Sequence, residues 1–140
     1  MAQVRSQKQT VGQSLAVLRG TDRGILATRL EVAESFLARS KGLLGRTNLP
    51  LGEALWIKRC NSIHTFFMKF PIDAIFVDDK LKIVAMYRSL KPWRITRLHL
   101  KASSVFEFPA ETLAQAKLGM ADLRPGDQLK LTSEGKEEHG

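Results

Sequence analysis

A single cysteine in 140 residues closes no intrachain disulfide, so the fold must stand on its core and needs no oxidising compartment. Long apolar runs are missing as well. No stretch approaches the roughly 18 apolar residues of a membrane-spanning helix. The longest apolar run near the N-terminus, Leu15 to Leu18, is too short for the core of an export signal. Internal repeats and Gly/Ser-rich linkers are absent from the sequence, which excludes solenoids and strings of tethered modules. Acidic residues vanish locally: Lys80, Lys82, Arg88, Lys91, Arg94, Arg97 and Lys101 follow one another with no acid among them. A cytoplasmic protein without a membrane span is the expectation.

What is present is ordinary in amount and uneven in placement. Hydrophobic residues make up 44% and charged residues 26%, which fits a globular enzyme or a binding module equally. The length suits one domain that removes roughly two-thirds of its unfolded surface from water. Residues 1–12 and 133–140 read as flexible or disordered tails around a single compact domain, 13–132. The net charge of +8 favours an anionic partner: a small anionic or polar molecule, or nucleic acid through the basic 80–101 segment, where Tyr87 and Trp93 are interspersed.

Short strands are predicted at 13–18, 25–32, 54–57, 74–77, 81–86, 105–108 and 128–132. Asp78-Asp79-Lys80 joins two of them as a hairpin, and Pro109 ends its strand or confines it to an edge. Helices are expected at 33–43 and 111–118, closed by glycines. Arg124-Pro125-Gly126-Asp127 has the order of a type II turn. The fold class is α+β, mostly β: a small barrel or strongly curved sheet of short strands with two short helices.

Chemistry concentrates between Cys60 and Asp73, which hold the cysteine, His64, three phenylalanines and an aspartate. Together with Arg39-Ser40-Lys41-Gly42-Leu43-Leu44-Gly45-Arg46, Leu49-Pro50, Pro92-Trp93-Arg94, Glu107-Phe108-Pro109-Ala110 and Gly126-Asp127, this run resembles the prokaryotic "domain of unknown function 192" family over about Leu26 to Leu131. The resemblance implies one compact β-rich domain of bacterial or archaeal type with no established activity. Many members carry export signals, which are not evident here. Glu111 stands where the family usually has glycine, so the loop there is expected to turn differently.

Several readings of the segment compete. Cys60, His64 and Asp73 would make a nucleophile, base and orienting acid if the fold brought them within hydrogen-bond reach. That is the hydrolase or transferase alternative, set against an inert buried thiol. Cys60, His64 and Met68 are soft ligands at spacings of four, but in an extended segment such positions lie about 13 Å apart, so no metal site and no cofactor is expected. A non-enzymatic cleft is the leading reading. Asn61, His64 and Thr65 supply polar groups among Phe66, Phe67, Met68 and Phe70. Lys69 adds a cation beside them, and Trp93, Arg94 and Arg97 form a second, basic wall for an anionic ligand. The alternatives for these residues are a satisfied core histidine, a structural salt bridge at Asp73 and a merely solvated basic face.

Overall fold

Ile72-Asp73-Ala74-Ile75-Phe76-Val77 is rich in branched and aromatic residues that fit a pleated surface, and all six are buried. Only a strand covered on both faces has that pattern. The computed structural model, which describes residues 8–11, 13–19, 22–35, 38–39, 42–115 and 122–133, builds two sheets around it. The strands are β1 (Lys8–Val11), β2 (Gln13–Arg19), β3 (Asp22–Ala27), β4 (Arg29–Ala33), β5 (Glu53–Lys58), β6 (Ile72–Val77), β7 (Ile83–Leu90), β8 (Ser104–Pro109) and β9 (Gln128–Ser133), and Thr112–Gln115 forms a helix, α1. The larger sheet has the order β1-β4-β5-β8-β6-β7 and the smaller β3-β2-β9. All neighbours run antiparallel except β4 and β5, which are parallel.

The two faces of the larger sheet bury different clusters. Ile75 and Val77 of β6 and Phe106 and Phe108 of β8 pack with Leu15, Leu129 and Leu113, which come from the smaller sheet and α1. The alternate residues Ile72, Ala74, Phe76 and Val105 pack with Leu43, Leu49, Ile63 and Met68 from connecting segments. Period-two alternation therefore sorts the side chains between a sheet-on-sheet face and a loop-covered face.

Several expectations need correction. The barrel does not form, because β2 pairs with β3 and β9 and leaves the larger sheet open, with β1 and β7 at its edges. The single strand expected at 25–32 is two strands. Thr28 N and Arg29 N both donate to the Gly52 carbonyl (2.8 and 3.1 Å), pinning a bend that sends β3 to one sheet and β4 to the other. The two expected helices reduce to α1 among the described residues. Ala33 is claimed by the sheet, paired with Lys8 and Ile57. Beyond it, Ser35 Oγ accepts from Ala38 N (3.1 Å), an N-cap. Arg39 N and Gly42 N then make helical i→i−4 bonds to Ser35 and Ala38 (2.9 and 3.0 Å). Positions 36, 37, 40 and 41 lie outside the described residues, as do 116–118 of the second expected helix and 1–7 and 134–140 of the expected tails. Lys8–Val11, placed by the sequence in the N-terminal tail, pairs along β4.

Other features fall where expected. Pro109 is the last residue of β8, and Asp78 Oδ1 closes the β6–β7 hairpin by accepting from Lys80 N and Lys82 N (2.9 Å each). Gly126 takes φ +96° and Asp127 N donates to Arg124 O (3.1 Å), as a type II turn requires.

Candidate functional site

On the loop-covered face lies a cavity of about 170 Å³. Its charged and polar lining is Arg39, Cys60, Ser62, His64 and Glu107, and Ile57, Leu43 and Met68 supply apolar wall. Glu107 shares its strand face with Val105, so β8 aims a carboxylate into a layer of hydrocarbon. It is only 4% exposed, an expensive placement for an acid unless polar groups or charges compensate it. Arg39 comes from the turn capped by Ser35. One of its terminal nitrogens donates to the Arg59 carbonyl (3.3 Å), while its buried Nε has no hydrogen-bond partner among the described residues.

Cys60 follows β5, and its thiol donates to the Ser62 carbonyl (3.1 Å). Burial pushes the thiol above its ordinary pKa. The backbone bond at Ser62 and the Arg39 charge pull it down, and the Glu107 carboxylate pushes it further up. A protonated thiol is a poor nucleophile at neutral pH. His64 is exposed, and its Nδ1 accepts from Phe66 N (3.2 Å), which makes Nε2 the proton-bearing nitrogen of the neutral ring.

Asp73 does not join them. It has the parity of Ile75 and Val77, so it faces the other side of the sheet, where its carboxylate accepts from Ser89 N and Leu113 N (2.8 Å each). The nucleophile, base and acid relay is therefore not assembled, and the salt bridge considered for Asp73 gives way to backbone hydrogen bonds. Among the described residues no cluster of three or more His, Cys, Asp or Glu side chains could hold a metal ion.

The expected binding residues scatter. Of Asn61, His64, Thr65, Lys69, Trp93, Arg94 and Arg97, only His64 lines the cavity. Thr65 is fully buried, its hydroxyl donating to Lys91 O (2.6 Å) and accepting from Arg94 N (2.9 Å). The Asn61 carbonyl accepts from His99 N (2.8 Å). Lys69 and Arg97 are exposed, and the exposed Arg94 side chain turns back on Pro92 O (3.4 Å). Segments 61–65 and 93–99 do meet, but as neighbours in one ribbon. The second cavity wall is the segment Arg39, Gly42, Leu43 and Leu44 together with Glu107.

A family profile described as "Uncharacterized ACR", the domain of unknown function 192 (DUF192), matches residues 17–131. The chain belongs to the DUF192 family. It is 34% identical over 100 residues to a UPF0127 protein of Pyrococcus abyssi, covering 67% of this chain and 82% of the relative. It is 36% identical over 85 residues to a UPF0127 protein of Pyrococcus horikoshii, covering 57% and 71%. Two crystal structures share the fold. A protein of unknown function from Novosphingobium aromaticivorans aligns with a TM-score of 0.68 at 21% identity over 84% of this chain and 83% of its own. A candidate transcription regulator from Sinorhizobium meliloti aligns with a TM-score of 0.70 at 16% identity over 89% and 95%.

The departure of this DUF192 chain at Glu111 has a geometric content. Glu111 takes φ +80°, a conformation glycine adopts freely and other residues adopt at a cost. The turn between β8 and α1 therefore passes through the left-handed region at a non-glycine residue. The residues that sequence reasoning missed, Arg39 and Glu107, both lie inside stretches that carry the DUF192 resemblance. Glu107 also had a signal of its own: an acid at the centre of Val105-Phe106-Glu107-Phe108.

Proposed function

We propose that this DUF192 domain is a binding module for a small polar molecule bearing an anionic group, held in the cavity between Arg39, Cys60, His64 and Glu107. The observation that carries this reading is the buried Arg39 Nε without a hydrogen-bond partner among the described residues, in a cavity also lined by Ser62 and His64. An unsatisfied buried donor costs about 1–3 kcal/mol. A ligand carboxylate or phosphate would satisfy it through a charge-assisted bond. Glu107 selects against a purely anionic ligand and favours one that also offers a hydroxyl or ammonium donor. At about 170 Å³ the cavity falls below the roughly 300 Å³ at which drug-sized sites begin, so the ligand is a small metabolite rather than a polymer. Binding without turnover accords with a thiol that burial keeps protonated.

The test is a thermal-shift titration of the full chain at low salt with hydroxy-carboxylates, amino-carboxylates and sugar phosphates, repeated with Arg39→Gln. At least one compound raises Tm in a saturable way, and Arg39→Gln abolishes that rise while remaining folded by circular dichroism. No shift from any compound, or an equal shift in the variant, rejects the reading.

A further inference from the structure

The ribbon beside the cavity carries an unusual outer surface. Residues 61–65 and 93–99 are laced together by Thr65 N to Arg94 O (2.8 Å), Trp93 N to Thr65 O (3.0 Å), Thr96 N to Ile63 O (2.9 Å) and His99 N to Asn61 O (2.8 Å). Two hydroxyls and one imidazole of the ribbon turn inward. Thr65 and Thr96 are buried, and His99 bonds Tyr87 OH (2.7 Å) and lies against the Phe76 ring at 4.7 Å. Apolar side chains face water instead: Phe67 is 69% exposed, Trp93 56%, Ile95 69%, Leu98 62% and Leu100 82%.

Single exposed apolar residues are ordinary, but five on one ribbon and its adjoining turns form a patch of the kind that marks an interaction site. The Phe67 and Trp93 rings touch, with centroids 4.6 Å apart. Both residues sit at φ 67°, in the left-handed region that non-glycine residues enter only at a cost. Such strain concentrates where a side chain must be held in a particular place. Cations flank these residues along the chain. Lys69, Lys91, Arg94, Arg97 and Lys101 are all exposed, and no acid occurs between positions 80 and 101.

We infer that this ribbon docks on an anionic phospholipid surface, its apolar side chains entering the headgroup boundary while its lysines and arginines meet lipid phosphates. Aromatic and aliphatic side chains flanked by Lys and Arg are the composition of an interfacial anchor. Nucleic acid is the weaker fit. Ile95, Leu98 and Leu100 have no flat face for a base, and Trp93 is already tilted against Phe67 and, at 5.9 Å, Phe66, whereas single-strand binding relies on open stacking platforms. The inference stands apart from the cavity reading, since none of the five apolar residues lines the cavity.

The experiment is flotation of the full chain with vesicles of phosphatidylcholine containing about 30% phosphatidylglycerol, against phosphatidylcholine alone, at low and physiological salt. Trp56→Phe leaves Trp93 as the sole indole of the two in the chain. Its emission shifts to the blue on the anionic vesicles, and binding weakens as salt rises. Leu98→Ser with Leu100→Ser lowers vesicle affinity at least about tenfold with Tm unchanged. Phe67→Asn, which tolerates the left-handed backbone, lowers it as well. Absence of vesicle binding at low salt overturns the inference, as does equal binding by the leucine variant. Binding of a single-stranded oligonucleotide in place of vesicles would make the ribbon a nucleic-acid surface instead. Arg39→Gln keeps vesicle binding, and the leucine variant keeps the cavity-ligand thermal shift, so the two readings fail separately.

Discussion

One strand, β8, serves two unlike faces. Toward the smaller sheet it sends Phe106 and Phe108 into a hydrocarbon layer closed by Leu15, Leu113 and Leu129. Toward the connecting segments it sends Val105 and Glu107, and there the layer opens into a cavity that also holds Arg39 and Cys60. The first face is built as a core is built, with apolar groups at close-packed contact. The second places the Glu107 carboxylate in a buried position and leaves the Arg39 Nε without a hydrogen-bond partner among the described residues, an arrangement that pure stability would not favour. Sites that give up stability in this way are candidates for function.

The largest expected effect lies on the first face. Phe106 is fully buried and stacks on Trp56 with ring centroids 5.0 Å apart. Phe106→Ala should cost about 3–5 kcal/mol through lost burial and the cavity left behind, read as a fall in the urea midpoint. A loss below about 1 kcal/mol would mean that this face is loosely packed and that the contrast between faces is false.

Asp73 comes next and tests how the first face is tied down. Its two oxygens receive Ser89 N and Leu113 N, so it ties β6 to the far end of β7 and to α1. Asp73→Ala strands two backbone donors and should cost about 2–4 kcal/mol, with Asp73→Asn milder. Cavity-ligand binding should be kept in either variant, since Asp73 faces away from Cys60 and His64. If Asp73→Asn abolished that binding at unchanged stability, the two faces would not be independent.

How far these roles were readable from sequence differs between the faces for a physical reason. Strands β2, β5, β6 and β8 announced themselves because alternation and β-branched content are local properties. The DUF192 family was equally legible, from ordered short motifs. The partition of Ile25–Val32 into two strands was not, because the bend depends on the carbonyl of Gly52, over twenty residues away. The candidate site was half legible. Cys60 and His64 were found through their residue types, but Asp73 was misassigned because side-chain parity in β6 puts it across the sheet. Arg39 and Glu107 reach the cavity only through pairings that no local pattern encodes.

Glu111 offers a gain rather than a loss. At φ +80° on the turn between β8 and α1, an exposed glutamate pays for a backbone that glycine takes without strain. Glu111→Gly should raise stability by about 0.5–1 kcal/mol, the relief of strain exceeding the added freedom of the unfolded chain. Thermal or urea unfolding measures it. A destabilisation would show that the Glu111 side chain earns its position through contacts.

The smallest effect reports on the second face directly. Burial, reinforced by Glu107, raises the Cys60 pKa above the ordinary value of 9.0. A group whose pKa is raised on folding contributes stability that is complete below its unfolded pKa and is lost as pH climbs through the folded value. The wild-type chain should therefore lose more stability above pH 9.0 than Cys60→Ser, with lysine and tyrosine titration common to both. Glu107→Gln removes the carboxylate contribution, so the thiol pKa falls and alkylation by iodoacetamide at neutral pH quickens. Arg39→Gln moves it the other way. If neither variant displaced the pH profile of alkylation, the charges of Arg39 and Glu107 would not reach the thiol, and the cavity would have to be read as three separate side chains instead of one electrostatic unit.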